Sequence, residues 1–306
     1  MTAISKRGVT IIKNRNRSKT TLIGALFVLP MMLGTIAFYY IPIFQAFIFS
    51  FQNVTVLHGG EWVGLQNYRW VVQDPRFWQS VQNTFSMGLM SLLLNISIPL
   101  IIASLLNFLP KGKNLFRTLY FIPNVVSVVA TAILFEFLFS ASREGLLNAL
   151  LANFGVGPFG WFSDPNMSQF SIALMGLWRV SGYNIIIFYA ALQSVPNELY
   201  EAANVDGATP IKRWWNITLP MVRPIIMVVV MMEIIGSMRR FADVFMIGGS
   251  DGSPGGSLQT IVVYIYRNAF LANQWGIGSA AAFILFVIIL ILTLLNNRFV
   301  NKPIDE

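Results

Sequence analysis

Cysteine is absent from the 306 residues, and histidine occurs once, as His58. Disulfide frameworks, thiolate metal sites and cysteine nucleophiles are therefore excluded. A single histidine in Leu57-His58-Gly59-Gly60 reads as a loop residue, since one imidazole makes no metal site. Charge is also scarce. Charged residues make up 11% of the chain, against about 25% in an average soluble domain. No Gly-x-x-x-x-Gly-Lys-Ser/Thr phosphate loop is present, because Gly112-Lys113 is followed by Asn114 and lacks the upstream glycine. A membrane-embedded enzyme would need a nucleophile, a metal or an acid–base constellation, and the materials for one are thin.

What the chain has instead is apolar sequence. Hydrophobic residues make up 55% and the mean hydropathy is +0.63. A soluble chain of this size could not hide so much apolar surface, so an all-α integral membrane protein is expected. A spanning helix needs about 20 mostly apolar residues. Six segments meet that length: 21–50, 84–108, 118–140, 169–193, 220–248 and 276–297. The first is too long for a signal-peptide core and shows no small-residue cleavage site, so it reads as a retained span. Residues 21–300 are thus expected to form one six-helix membrane domain between a tail of residues 1–20 and a tail of residues 301–306. No large soluble domain and no internal repeat is expected.

The net charge of +8 would raise nucleic acid as a partner in a soluble chain. Here the basic residues flank the apolar segments, which reads as topology and not as nucleic-acid binding. On one side lie Lys6, Arg7, Lys13, Arg15, Arg17 and Lys19, then Lys111, Lys113 and Arg117, then Lys212, Arg213 and Arg223, then Arg298 and Lys302. On the other side lie only Arg69, Arg76, Arg143 and Arg267. The positive-inside bias places both tails and the connection after the fourth span in the cytoplasm.

That connection, residues 194–220, reads as a helical hairpin. Ser194 can cap a first helix with Pro196 in its first turn. Gly207 suits the left-handed position that ends it. Thr209 caps a second helix and Pro210 fits its first position. Ile211, Trp214 and Trp215 then share one face at i, i+3, i+4 spacing.

The run Glu201-Ala202-Ala203-x-x-Asp206-Gly207-Ala208, followed by Ile217-x-Leu219-Pro220, resembles the EAA signature of permease subunits in ATP-binding-cassette (ABC) importers. Trp214 stands where that family commonly has phenylalanine. Val63-Gly64-Leu65-x-Asn67-Tyr68, Asn83-Thr84, Leu119-Tyr-Phe-Ile-Pro123, Gly145-Leu-Leu-Asn148, Phe241-x-Asp243, Tyr264-Ile-Tyr-Arg-x-Ala-Phe270 and Ser279-Ala-Ala are similar to the oligosaccharide branch, the maltose-type permeases. The resemblance runs from about residue 22 to 297, without the large external insertion of the enteric maltose permease. It implies a type I importer permease fold and a sugar as the transported solute. It also implies that Glu201, Ala202, Ala203, Asp206, Gly207 and Ala208 couple to an ATPase. The expected partners are a second related permease, two ATPase subunits that carry ATP and Mg, an external substrate-binding protein, and membrane lipid. This chain itself is expected to bind no cofactor and to catalyse no covalent reaction.

Several charged residues fall in or near spans: Glu136, Arg179, Glu233, Arg239, Arg240 and Asp243. Ionisable groups are costly in a bilayer and usually face a cavity or one another. Glu233 and Arg240 are two turns apart on one helix face. Arg239 and Asp243 are four apart and can pair. Lining of a transport path and structural ion pairing are both open to these residues. Trp178, Tyr183 and Asn184 on the fourth span can likewise face a sugar or pack between helices, since an amide offers donor and acceptor and aromatics also populate interfacial belts. The stretch Gly248–Gly256 reads as a flexible outer loop, able to contact a binding protein or to serve as a bare linker. An ABC importer permease for a non-sugar solute, such as a glycerophosphodiester or polyol, is one rival reading, and a secondary transporter driven by an ion gradient is another. Such a protein has no use for the hairpin, and its transport would survive loss of ATP.

Overall fold

The computed structural model describes residues 17–55, 59–108 and 112–300. Lys6, Arg7, Lys13, Arg15, His58, Lys111, Lys302 and the tail 301–306 lie outside the described residues. The chain divides into two compact units, Met1–Ile48 and Phe49–Glu306.

The first unit is one apolar rod. Helix α1 (Arg17–Thr35) passes through a π-turn, Ile36–Tyr40, into α2 (Ile41–Phe49). Pro42 explains the widened turn. It has no N–H to donate and its ring crowds the carbonyl four residues back, so the helix opens ahead of it. Phe27, Phe38 and Phe44 are exposed, as expected of a helix whose environment is lipid or another apolar surface.

The second unit begins with a two-stranded ribbon, β1 (Gln52–Asn53) antiparallel to β2 (Glu61–Trp62). Helix α3 (Gln66–Gln73) follows, and then α4 (Pro75–Phe108). The third apolar segment is not a straight span. Helix α5 (Lys113–Val125) meets α6 (Val128–Leu138) at a bend of 100°. Pro123 removes a hydrogen bond near the end of α5. Val126 is then extended, and Ser127 caps the new helix by accepting from the Ala130 N–H. Among the described residues, five helices are long and apolar enough to cross a membrane, and six if this bent pair counts as one.

A short α7 (Leu146–Ala152) precedes α8 (Pro165–Gln193), a helix about 43 Å long at 1.5 Å per residue. Helices α9 (Asn197–Val205) and α10 (Pro210–Arg213) make the hairpin. From α10 the chain continues through a second π-turn, Trp214–Thr218, into α11 (Leu219–Met238). Here Pro220 follows the π-turn by two residues, as Pro42 does the first. Helices α12 (Ala242–Gly248), α13 (Ile261–Tyr266) and α14 (Trp275–Val300) complete the unit.

Helix α8 is the axis of this unit, packing on α4, α5, α6 and α11. Its contact with α5 is unusually close: a Cβ at Gly182 would run into the Tyr120 carbonyl, so only glycine fits. Toward the hairpin, Leu100, Ile185, Phe188, Leu192, Val222 and Val229 form one apolar core. Toward the other end, Met87, Phe135, Ile172, Met175, Val244 and Leu258 form a second.

The Gly248–Gly256 stretch is a folded loop rather than a free linker. Its turns are closed by Ser253 N–H to Gly248 O and Leu258 N–H to Gly252 O. Asn83 on α4 donates to the carbonyls of Gly256 and Gln259, and Gln169 on α8 donates to Asn83 Oδ1 and the Ser257 carbonyl. Alongside, Tyr264 donates to Asp74 at 2.9 Å. Burial, reinforced by that bond, holds its phenol protonated well above the usual range.

Candidate functional site: a hairpin and a cavity between spans

The hairpin is built largely as its residues dictate, with two corrections. Ser194 does not cap α9. It ends α8, and its hydroxyl donates to the Ala191 carbonyl, while Pro196 takes the capping position of α9 without a side-chain bond. Gly207 has φ +70° and nothing near the place a Cβ would occupy. The bonds Ala208 N–H to Ala203 O and Gly207 N–H to Asn204 O close the helix end around it. Thr209 accepts from the Lys212 N–H and Pro210 opens α10.

The shared face of Ile211, Trp214 and Trp215 is the second correction. The π-turn begins at Trp214 and breaks the helical register. Trp214 turns inward and donates to Ser104 Oγ at 3.0 Å, whereas Ile211 (73%) and Trp215 (58%) stay exposed. Tyr200 and Thr218 share a 2.9 Å hydroxyl bond, and Arg213 donates to Asn204. These bonds brace the two arms. Glu201, Ala202, Asp206 and Gly207 are all exposed, and Val205 is 89% exposed.

The second feature is a cavity of about 360 Å³ among α4, α6, α8, α11 and α12. Tyr183, Asn184, Glu233, Arg240 and Asp243, far apart in sequence, all line it. Trp178 does not. It packs on Phe135, with ring centroids 5.5 Å apart. Asn95, Arg179, Ser237 and Arg239 also line the cavity. Asn95 carries no local signal in the sequence, since it sits alone in an apolar run.

The charges do not pair by the spacing of a continuous helix. Helix α11 ends at Met238, and Arg239 to Phe241 form a break before α12. Arg239 is therefore exposed, and Arg240 pairs with Asp243 instead, Nε to Oδ2 at 3.4 Å. The same break removes the helical reason for Glu233 and Arg240 to share a face; they meet at the cavity through the fold. Asp243 Oδ1 accepts from the Val244 N–H, and the Arg240 carbonyl accepts from Thr260. The Arg240 guanidinium lies over Gly176 of α8, where a side chain would crowd it. Glu233 accepts from Asn95 Nδ2 at 2.9 Å and from Asn184 Nδ2 at 3.1 Å. The result is a polar chamber among apolar helices, offering amide, carboxylate, phenol and guanidinium groups to a polyhydroxylated or ionic solute.

Residues 95–304 match the family described as binding-protein-dependent transport system inner membrane component. The chain belongs to that family. It is 35% identical over 276 residues to the arabinooligosaccharides transport system permease protein AraP of Bacillus subtilis, covering 89% of this chain and 87% of that protein. It is 32% identical over 273 residues to the trehalose/maltose transport system permease protein MalF of Thermococcus litoralis, covering 89% and 91%. It is 30% identical over 283 residues to the sn-glycerol-3-phosphate transport system permease protein UgpA of Pectobacterium atrosepticum, covering 91% and 94%. A chain of a bacterial alginate ABC transporter, solved in complex with an alginate pentasaccharide-bound periplasmic protein, superposes with TM-score 0.81 at 22% identity, covering 94% and 98%. The permease is thus a multi-pass membrane protein with the type I ABC importer permease fold.

Proposed function

We propose that this permease forms half of the membrane channel of an ABC importer for a sugar or oligosaccharide, and that it moves the solute by alternating access. The observation that carries this reading is the polar cavity inside a fold whose relatives include permeases named for arabinooligosaccharides and trehalose/maltose. The second half of the channel is a related permease. A substrate-binding protein delivers the solute at the end bearing the Gly248–Gly256 loop. Two ATPase subunits, holding ATP and Mg, dock at the other end on the hairpin that presents Glu201, Val205 and Gly207. Both tails and the hairpin are cytoplasmic.

Two features support the docking role. The hairpin is braced internally by hydrogen bonds, yet it leaves Val205, Ile211 and Trp215 uncovered. Exposed apolar residues on a braced projection are what a partner's groove requires. One of its arms is also continuous with α11, which carries Glu233. A displacement of the hairpin would therefore be passed along a helix to the cavity wall.

A glycerol phosphate-type solute is the second reading, favoured by the likeness to UgpA and by Arg179, Arg239 and Arg240 in the lining. The test is uptake in proteoliposomes carrying the whole transporter and its binding protein, with labelled arabinotriose, trehalose, maltotriose and glycerol-3-phosphate as probes. ATP-dependent uptake of one of the sugars is expected. Uptake of glycerol-3-phosphate alone selects the second reading. Uptake that persists without ATP and stops with an uncoupler overturns the ABC mechanism. Orientation is checked in the cysteine-free chain with Gly207→Cys, which should resist an impermeant thiol reagent added outside intact cells.

A further inference from the structure

Asn95 is 2% exposed, on the face of α4 that meets α8 and α11. Its Nδ2 donates to Glu233 Oε2, and its own backbone carbonyl accepts from Asn184, whose amide also donates to Glu233 Oε1. Each carboxylate oxygen therefore takes one neutral amide N–H, and three helices meet at one carboxylate. The orientation of Asn95 follows from chemistry: turned over, its carbonyl oxygen would face the carboxylate and repel it. As placed, its Oδ1 is buried with no protein donor, while its Nδ2 holds Glu233.

The carboxylate's other option is on the same wall. Arg179, Arg239 and Arg240 line the cavity with it, and opposite charges in a poorly screened space are drawn together. Among the described residues, however, Glu233 makes no ion pair, and Arg240 is paired with Asp243. We infer that Asn95 is a positioning residue: with Asn184 it holds Glu233 as an open, charged acceptor on the cavity wall and keeps it from closing onto an arginine. Resting on the reading of the cavity as the solute's path, this keeps an acceptor free for hydroxyl donors of a passing solute.

The test reads the charge directly and needs neither solute nor ATP, so its failure is separable from a failure of the uptake assay. Gly236 lines the cavity one turn beyond Glu233, and nothing lies within 4 Å of a Cβ placed there. Gly236→Cys thus sets one thiol in open space in a cysteine-free chain. The complete transporter in detergent is reacted with cationic methanethiosulfonate ethyltrimethylammonium and anionic methanethiosulfonate ethylsulfonate. The transporter with the unaltered chain supplies the background from other subunits. The ratio of the two rates cancels the thiol's own reactivity. A unit negative charge one turn away raises the cation-to-anion ratio by on the order of tenfold before salt screening, relative to the same lining without it. Arg179, Arg239 and Arg240 act alike on both, so Gly236→Cys is expected to show that excess over Gly236→Cys combined with Glu233→Gln. Asn95→Leu should remove it too, although Glu233 is intact, and Asn95→Gln should retain most of it. If Asn95→Leu does not assemble, Asn95→Ser, too short to reach the carboxylate, carries the same expectation. A ratio unchanged by Asn95→Leu or Asn95→Ser overturns the inference, and so does a ratio insensitive to Glu233→Gln.

Discussion

The hairpin and the cavity are built in opposite ways. The hairpin is local: its capping threonine, left-handed glycine and opening proline fall within four consecutive residues, and Val205, Ile211 and Trp215 are left exposed. The cavity is assembled from α4, α8 and α11–α12, and its key groups bond across 49 to 138 residues of sequence. There Asn95 and Asn184 bond to Glu233 and Arg240 pairs with Asp243. A projecting hairpin can be encoded in a short run because its bonds are local. A polar wall between helices needs the whole fold first.

Two glycine substitutions should break the comparison most visibly. Gly182 sits beside Tyr183 and Asn184, with the Tyr120 carbonyl pressed against it. Gly182→Leu cannot be accommodated without separating α5 from α8, an overpacking cost of about 1–3 kcal/mol or more. The expected outcome is loss of most of the subunit from the membrane, read by immunoblot and size-exclusion profile. Normal levels of a monodisperse Gly182→Leu complex would show that the α5–α8 contact is not needed for assembly.

Gly207→Val should behave differently. Open space surrounds the position, so no neighbour is displaced, but a β-branched residue at φ +70° costs about 1–2 kcal/mol within the turn. It also adds bulk to the proposed docking surface. The subunit should reach the membrane at normal levels, while uptake falls to a small fraction and the ATPase co-purifies poorly or hydrolyses without transport. Normal uptake with normal co-purification would remove the hairpin from the coupling mechanism.

Glu233→Ala is the corresponding change in the cavity, and its effect should be smaller than either. It leaves the amides of Asn95 and Asn184 without their acceptor, a cost of about 1–3 kcal/mol in a fold with large apolar cores on either side. Assembly should persist and uptake should drop several-fold. Failure to assemble would make Glu233 a structural tie between helices instead of a wall of the path.

The same contrast explains what could be read from the sequence. Length and hydropathy give the spans because a bilayer imposes one length on every helix. Gly207, Thr209 and Pro210 were legible because each answers to backbone geometry at its own position. The 100° bend between α5 and α6 was not, because proline marks a weak point without saying whether the helix bends or is carried through. Four-residue spacing lets Arg239 pair with Asp243 only on an unbroken helix, and the break at Arg239 to Phe241 gives the partner's place to Arg240. The π-turn Trp214–Thr218 reassigned Trp214 in a similar way, since it breaks the register that would hold Ile211, Trp214 and Trp215 on one face. Asn95 was invisible: an isolated amide in an apolar run gains meaning only once Glu233 is known to lie beside it.

The smallest effect is expected at Glu201, and it is the finest probe of how the hairpin works. Glu201 is exposed in the middle of α9, away from the turn, and its side chain makes no hydrogen bond or ion pair among the described residues. Replacing it by alanine improves helix propensity by a few tenths of a kcal/mol and leaves Gly207, Thr209 and the Tyr200–Thr218 bond in place. If the carboxylate accepts charge-assisted hydrogen bonds from the ATPase, its loss costs about 1.5–3 kcal/mol at that contact, with the apolar contacts of the hairpin retained. Glu201→Ala should therefore reduce uptake only about two- to fivefold, as part of the loss at the contact is offset by other docking residues. ATPase co-purification should weaken as salt is raised, while Glu201→Gln recovers part of the activity. A Glu201→Ala variant as damaged as Gly207→Val would mean that a single charge, and not the shape of the turn, carries the coupling.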